Sequence, residues 1–158
     1  MNDLIIRSAD ITELDILLAF EQAVIEAERP FDSTIRSGPD VRYYDLEGLI
    51  ASPDAEVVVA EIDSEIIGSG YAAIKPSEGY LKHSKHSYLG FMYVVPEHRG
   101  KGVIKRIIET LEAWSLSKGV TELQLEVYVE NTGAIRAYEK SGYDPLIVTM
   151  RRELSEKV

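Results

Sequence analysis

The alternation of apolar and polar positions divides the chain into short segments of changing period. LIIR (4–7) reads as a first strand. From Asp10 the period lengthens, and Leu14, Leu17, Leu18, Val24 and Ile25 recur at helical spacing to about Glu28. Asp10 with Glu13 three residues later has the pattern of a capping box, which predicts the helix start. Pro30, Gly38 and Pro39 interrupt any regular pattern over 28–40, so a loop is expected there, followed by a short helix over about 41–51.

AEVVVAEI (55–62) is β-branched, and the turn DSE leads into EIIGSGYAAI (65–74), which predicts a hairpin. Gly68 and Gly70 inside the second strand point to a bulge or a close approach by another group. A loop (75–85) and a strand (86–95) follow. Val103, Ile104, Ile107, Ile108, Leu111 and Trp114 then mark an apolar helix side, ending near Gly119. TELQLEV (121–127) alternates with period two, Asn131 is a good cap for a helix over 134–140, and Gly142 stops it. DPLIVTMRREL (144–154) is expected to close the chain as a strand. The order β-α-α-β-β-β-α-β-α-β describes a mixed α/β domain with an antiparallel first half, and the length suits a single domain, 1–158.

Composition narrows the chemistry. The 158 residues include no cysteine, so disulfides, thiolate metal sites and a cysteine nucleophile are excluded. The formal charge of -10 argues against nonspecific nucleic-acid binding and suits a cationic acceptor. MNDLIIRSAD lacks the basic and apolar regions of a signal peptide, and no apolar run approaches the ~20 residues that span a bilayer. A cytoplasmic protein with no membrane partner is expected.

Against that acidity, VVPEHRGKGVIKR (94–106) gathers Arg99, Lys101, Lys105 and Arg106 around Gly100 and Gly102 at the start of a helix. A helix N-terminus carries unpaired N–H groups and partial positive charge, and glycines let its backbone approach a ligand. Together with basic side chains these make a phosphate or pyrophosphate cradle. The alternative is a tight turn with a solvated basic patch. The spacing fits neither a P-loop nor a dinucleotide fingerprint.

MYVVPEHRGKGVIKRIIETL followed by LQLEVYVENTGAIRAYEKSGY resembles the GNAT superfamily of acetyl-CoA-dependent N-acetyltransferases, over about 89–143. The resemblance implies a GNAT-like, mostly antiparallel sheet flanked by helices. It also implies acetyl-CoA as cosubstrate, with its pyrophosphate held at Arg99, Gly100, Lys101, Gly102, Val103 and Ile104. Ile104 departs from the family's glycine or alanine; its N–H stays available, and its β-branched side chain is expected to crowd the phosphate or tilt the helix. The backbone of Met92, Tyr93 and Val94 is implied to pair with the pantetheine arm like an added strand. Asn131 serves as helix cap and, by resemblance, cofactor contact.

Direct transfer to an amine needs a base for the amine and a proton donor for the departing thiolate. The resemblance makes Tyr138 the acid, and a Tyr hydroxyl titrating near ~10 matches an alkyl thiol. Tyr is equally a packing residue at helix–sheet junctions. Glu126, in LEVYVEN, is the candidate base by resemblance, or else a solvated strand-face carboxylate. It is expected to share a face with Gln124 and Tyr128. His86 is a second candidate base. With His83 it has a spacing that could suggest a metal, but a surface loop with no metal is expected. The acceptor side is expected from residues 29–44 and 75–85, with Phe31, Tyr43 and Tyr44 as candidate lining. The acceptor is a small-molecule amine or a peptide or protein amine. A non-catalytic acyl-CoA sensor and an anion-binding regulatory domain are the alternatives, and a homodimer paired through the final strand stays open.

Overall fold

The computed structural model describes residues 3–156. Residues 1, 2, 157 and 158, the ends of the expected domain, lie outside the described residues. The chain packs as two compact units, Met1–Glu126 and Val127–Val158.

In the first unit, β1 (Ile5–Ser8) leads to α1 (Leu14–Glu28) through one turn of 3-10 helix at Ile11–Glu13. The capping box forms as the sequence predicts. Asp10 accepts from the Thr12 N–H, and Glu13 accepts from the Asp10 N–H at 2.8 Å. Arg7 bridges Glu13 and Glu61, which ties the helix start to the sheet. α2 (Leu46–Ala51) is shorter than expected. Residues 41–45 stay out of the helix, where the buried carboxylate of Glu21 takes the N–H groups of Tyr43 and Tyr44 at 2.9 and 2.7 Å and pairs with Arg42.

β2 (Ala55–Ile62), β3 (Glu65–Pro76), β4 (Lys85–Val94) and, after α3 (Val103–Ser117), β5 (Leu123–Leu125) complete a sheet ordered β1-β2-β3-β4-β5. The first three pairings are antiparallel and β4–β5 is parallel. Asp63 and Ser64 make the two-residue hairpin turn with positive φ, the geometry that matches strand twist. Val57 and Val59 join Leu17, Phe20, Leu46, Tyr71 and Phe91 in a core on the α1–α2 face. The alternate positions face α3, whose Ile107 and Leu111 are fully buried. α3 comes so close to β3 that a Cβ at Gly70 would lie 2.6 Å from Ile107 Cγ2.

In the second unit, α4 (Thr132–Lys140) is capped by Asn131, whose side chain accepts from the Ala134 N–H at 3.3 Å. Gly142 follows with φ of 94° and stops it. The expected closing strand over 144–154 does not form. This segment has no regular structure, and Leu146, Ile147, Val148, Met150 and Leu154 are exposed. An apolar run becomes a strand only when a neighbouring backbone takes its N–H and C=O groups, and among the described residues none pairs with this one. β5 is likewise shorter than expected and ends at Leu125, so the alternation expected to place Tyr128 beside Glu126 is not carried by a strand.

Candidate active site

The site begins where β4 outruns its neighbour. β5 pairs with Ser87, Tyr88 and Leu89 only, while β4 continues to Val94. Along this second stretch β4 carries a bulge. Ser69 faces Tyr93 and Tyr71 faces Gly90, so Phe91 and Met92 together oppose Gly70. Phe91 has φ of 59°, a left-handed conformation for a buried aromatic residue inside a strand. Two side chains hold it there. Ser69 Oγ donates to the Phe91 carbonyl at 3.0 Å, and the Tyr44 hydroxyl takes a hydrogen bond from the Phe91 backbone. Met92, Tyr93 and Val94, the residues expected to meet a pantetheine arm, follow directly along the edge.

The loop after β4 is bound back to that edge. Arg99 Nε donates to the Val94 carbonyl at 2.8 Å, and the guanidinium lies 5.6 Å from the Tyr93 ring centre. Thus part of Arg99 serves its own chain, and the Val94 carbonyl already has a donor. Gly100 and Gly102 have φ of 75° and 80°. A Cβ at either would meet nothing within 4 Å, so these glycines are required by conformation rather than by space. Asp10, Asp45 and Asn131 cap other helical starts among the described residues, but α3 begins at Gly102 with no side-chain cap. Its first N–H groups, from Val103, Ile104 and Lys105, point out of the helix start beside Lys101. Arg106 is the first residue to bond back, to the Gly102 carbonyl at 3.2 Å. Ile104 is accommodated as the second residue of α3 and is half-buried. This donor set fits a pyrophosphate, which needs several N–H groups and positive charge in a small concave space.

Glu126 follows the end of β5. Register places Gln124 opposite Tyr88 on one sheet face, and Glu126 lies one residue beyond the end of the strand. Tyr71 faces Gly90 across the β3–β4 pair, and its ring is so close that a Cβ on Gly90 would sit 2.7 Å from Tyr71 Cε1. Burial, and then the charge of Glu126, push the Tyr71 hydroxyl above its ordinary range. The sequence did not reveal this influence of the candidate base on Tyr71, because a strand Tyr has many packing uses.

His83 and His86 meet at Ser77, whose Oγ lies 2.8 Å from His83 Nδ1 and 2.9 Å from His86 Nδ1. His83 Nε2 faces Glu122 at 4.0 Å. Among the described residues no group of three or more His, Cys, Asp or Glu is placed to hold a metal ion. In the second unit, Asn131 and Tyr138 lie at the two ends of α4, with the Tyr138 ring 6.4 Å from that of Tyr143. On the expected acceptor side, Tyr43 and Tyr44 line an open cleft of about 350 Å³ with Leu14 and Leu18 of α1. Among the described residues no helix is long and apolar enough to cross a membrane.

The β4 edge, the start of α3 and β5 all lie within one stretch of sequence that can be compared with known proteins. Residues 21–143 match the model of the Acetyltransferase (GNAT) family, and the chain belongs to that family. It is 26% identical over 98 residues to an aminoglycoside N(6')-acetyltransferase type 1 of Klebsiella aerogenes, covering 62% of this chain and 64% of that one. It is 31% identical over 100 residues to an acetyltransferase of Pectobacterium atrosepticum, covering 63% of this chain and 65% of that one. The match thus spans a little under two thirds of the length of these curated relatives. A crystal structure from Clostridium acetobutylicum, described as a predicted acetyltransferase with acetyl-CoA, superposes with a TM-score of 0.74 at 16% identity, covering 96% of each chain.

Proposed function

We propose that this chain is a CoA-dependent N-acyltransferase that moves an acetyl group from acetyl-CoA to a small primary amine, with 1–158 working as one acetyltransferase domain. The observation that carries the reading is the uncapped start of α3, with its left-handed glycines and basic side chains, beside the β4 edge that β5 leaves unpaired. The family match runs from the first unit into the second, which supports a single functional domain. The names of the relatives, one of them an aminoglycoside acetyltransferase, support a small-molecule amine as acceptor.

In this reading acetyl-CoA supplies the acyl thioester, and the chain binds, orients and moves protons. The N–H groups of Val103, Ile104 and Lys105, with Arg99, Gly100, Lys101 and Gly102, hold the pyrophosphate. The backbone of Met92, Tyr93 and Val94 orients the pantetheine arm, and Asn131 adds a contact. Glu126 takes a proton from the acceptor ammonium, because only the neutral amine has a lone pair for the thioester carbon. The Tyr138 O–H returns a proton to the leaving sulfur. Electrostatics favour a cationic acceptor, since the chain carries a formal charge of -10.

The deciding experiment incubates the protein with acetyl-CoA and a panel of aminoglycosides, polyamines, amino acids and short peptides, with products read by mass. Acetylation of a small amine, lost in Tyr138→Phe and slowed at low pH in Glu126→Gln, is the expected result. Acetyl-CoA binding without any product would leave the chain a CoA-binding protein and sink the transferase reading.

A further inference from the structure

The segment after α4 carries a pattern that the fold of the single chain does not use. Leu146, Ile147, Val148, Met150 and Leu154 are between 64% and 91% exposed, and they are five of the eleven large apolar side chains exposed among the described residues. The other six are spread from Ile5 to Val129, as exposed apolar residues ordinarily are. The run has β-branched Ile147, Val148 and Thr149 at its centre, a composition that suits a strand, and its backbone N–H and C=O groups need a neighbour. Among the described residues no strand pairs with it. Asp144, Arg151 and Arg152, the charges that flank the run, enter no ion pair among the described residues.

This segment is complementary to itself. When two identical strands pair antiparallel about a two-fold axis, opposite residues share a face, and the axis passes through a residue that meets its own copy. With Val148 on the axis, Leu146 faces Met150, Ile147 faces Thr149 and Asp144 faces Arg152. The apolar strip of Leu146, Val148 and Met150 from both copies is then closed at each end by a pair of opposite charges, the favourable cross-strand arrangement. Moving the axis to Ile147 or to Thr149 sets Asp144 against Met150 or Leu154 and loses both charge pairs. Pro145 suits the Val148 register as well. Antiparallel pairs alternate between hydrogen-bonded and non-hydrogen-bonded, so with Val148 in a bonded pair Pro145, three residues away, falls in a non-bonded one. There its nitrogen, which has no N–H, turns to the outer edge.

We propose that residues 144–154 are a dimerisation strand, paired antiparallel with the same segment of a second copy of this chain about a two-fold axis at Val148. The exposed apolar run of each copy covers that of the other, and Asp144 of each meets Arg152 of the other. The segment is irregular in one chain because the backbone partner that it needs belongs to another molecule. The proposal stands apart from the acyl-transfer reading, since it uses no residue assigned to that site.

The test is the mass of the full chain in solution, read by sedimentation over a wide range of concentration. A reversible dimer is expected. Val148→Asp sets two carboxylates face to face on the axis and should leave a monomer. Asp144→Arg and Arg152→Asp should each raise the dissociation constant by about tenfold, because each turns both charge pairs into like charges. The variant with both reversals should regain the original constant, which a general loss of packing would not do. The three positions are exposed, and circular dichroism checks that each variant is folded; the charge reversals carry the comparison if Val148→Asp is not. A chain that stays monomeric at every concentration would overturn the proposal. Hydrogen exchange then tells whether the segment is covered by its own chain, and so protected, or is left for a different partner. A dimer indifferent to Val148→Asp, or one weakened by each reversal and not restored by the two together, would overturn it equally.

Discussion

Ser69 Oγ donates to the Phe91 carbonyl at 3.0 Å, and both residues are buried. The bond fastens the one non-glycine residue with positive φ that lies within a strand among the described residues. A left-handed residue costs ~1–2 kcal/mol and persists only where its surroundings hold it. Ser69→Ala removes the donor and leaves the Phe91 carbonyl underpaired in the core. The expected loss of stability is about 1–2 kcal/mol, read from urea unfolding. The same variant should weaken acetyl-CoA binding, because Met92, Tyr93 and Val94 take their direction from the bulge. Unchanged affinity alongside the expected loss of stability would confine Ser69 to a packing role.

Glu21 is a fully buried carboxylate serving three donors: Arg42 and the N–H groups of Tyr43 and Tyr44. Its removal strands two backbone donors and a guanidinium that is itself half exposed. Glu21→Ala should cost about 3 kcal/mol and free residues 41–45, with a visible change in the near-ultraviolet signal of Tyr43 and Tyr44. Arg42→Ala, which leaves both backbone bonds in place, should cost clearly less. Equal costs for the two variants would contradict this ranking.

Gly70 marks a close approach of α3 to the sheet. A Cβ there would meet Ile107 Cγ2 at 2.6 Å and Met92 Sδ at 3.0 Å. Gly70→Ala should destabilise by roughly 2 kcal/mol through overpacking. Ile107→Ala removes the clashing methyl, so the double variant should be more stable than the sum of the two single losses implies. Additive losses in unfolding experiments would mean that α3 had shifted to absorb the strain.

The Arg7–Glu13 pair sets a pH dependence. Glu13's carboxyl lies below its ordinary range, first because of the Arg7 guanidinium and then because of the Asp10 backbone N–H. A carboxyl that titrates lower in the folded chain stabilises it at pH values above the unfolded value of ~4.3. That contribution drains away as the pH falls through the lower folded value. Glu13→Gln should therefore be less stable than the unmodified chain at neutral pH, with the gap closing below about pH 4. A gap that stayed constant with pH would assign the loss to packing.

Much of the framework could be read from the sequence because its signals are local. The Asp10–Glu13 box, the two-residue hairpin turn, the glycines around Lys101 and the Asn131 cap each depend on neighbours a few residues away. The bulge could not be read in this way. Phe91 and Met92 are both apolar, so an extra residue leaves no break in the hydrophobic pattern, and Gly70 could only hint at it. Glu21 was equally silent. It occupies an inward position on α1, and two of its partners are backbone N–H groups, which have no residue identity. Tyr71 gains its meaning from its packing against Gly90 on the next strand, which lies far along the chain. The error over 144–154 has the opposite cause. There the pattern was clear, but a strand also needs a partner, which no pattern within the segment supplies.

The tie between Arg99 and Val94 has a thermodynamic consequence. Through that one hydrogen bond the loop ahead of α3 and the edge of β4 form a single stiffened piece. A long, hinged molecule that lies along the edge and ends at the loop therefore meets two surfaces already at fixed spacing. The ordering entropy of bringing them together was spent when the chain folded, so the guest alone must lose freedom on binding. Cutting the tie should show itself as a more unfavourable binding entropy, even where every contact to the guest survives.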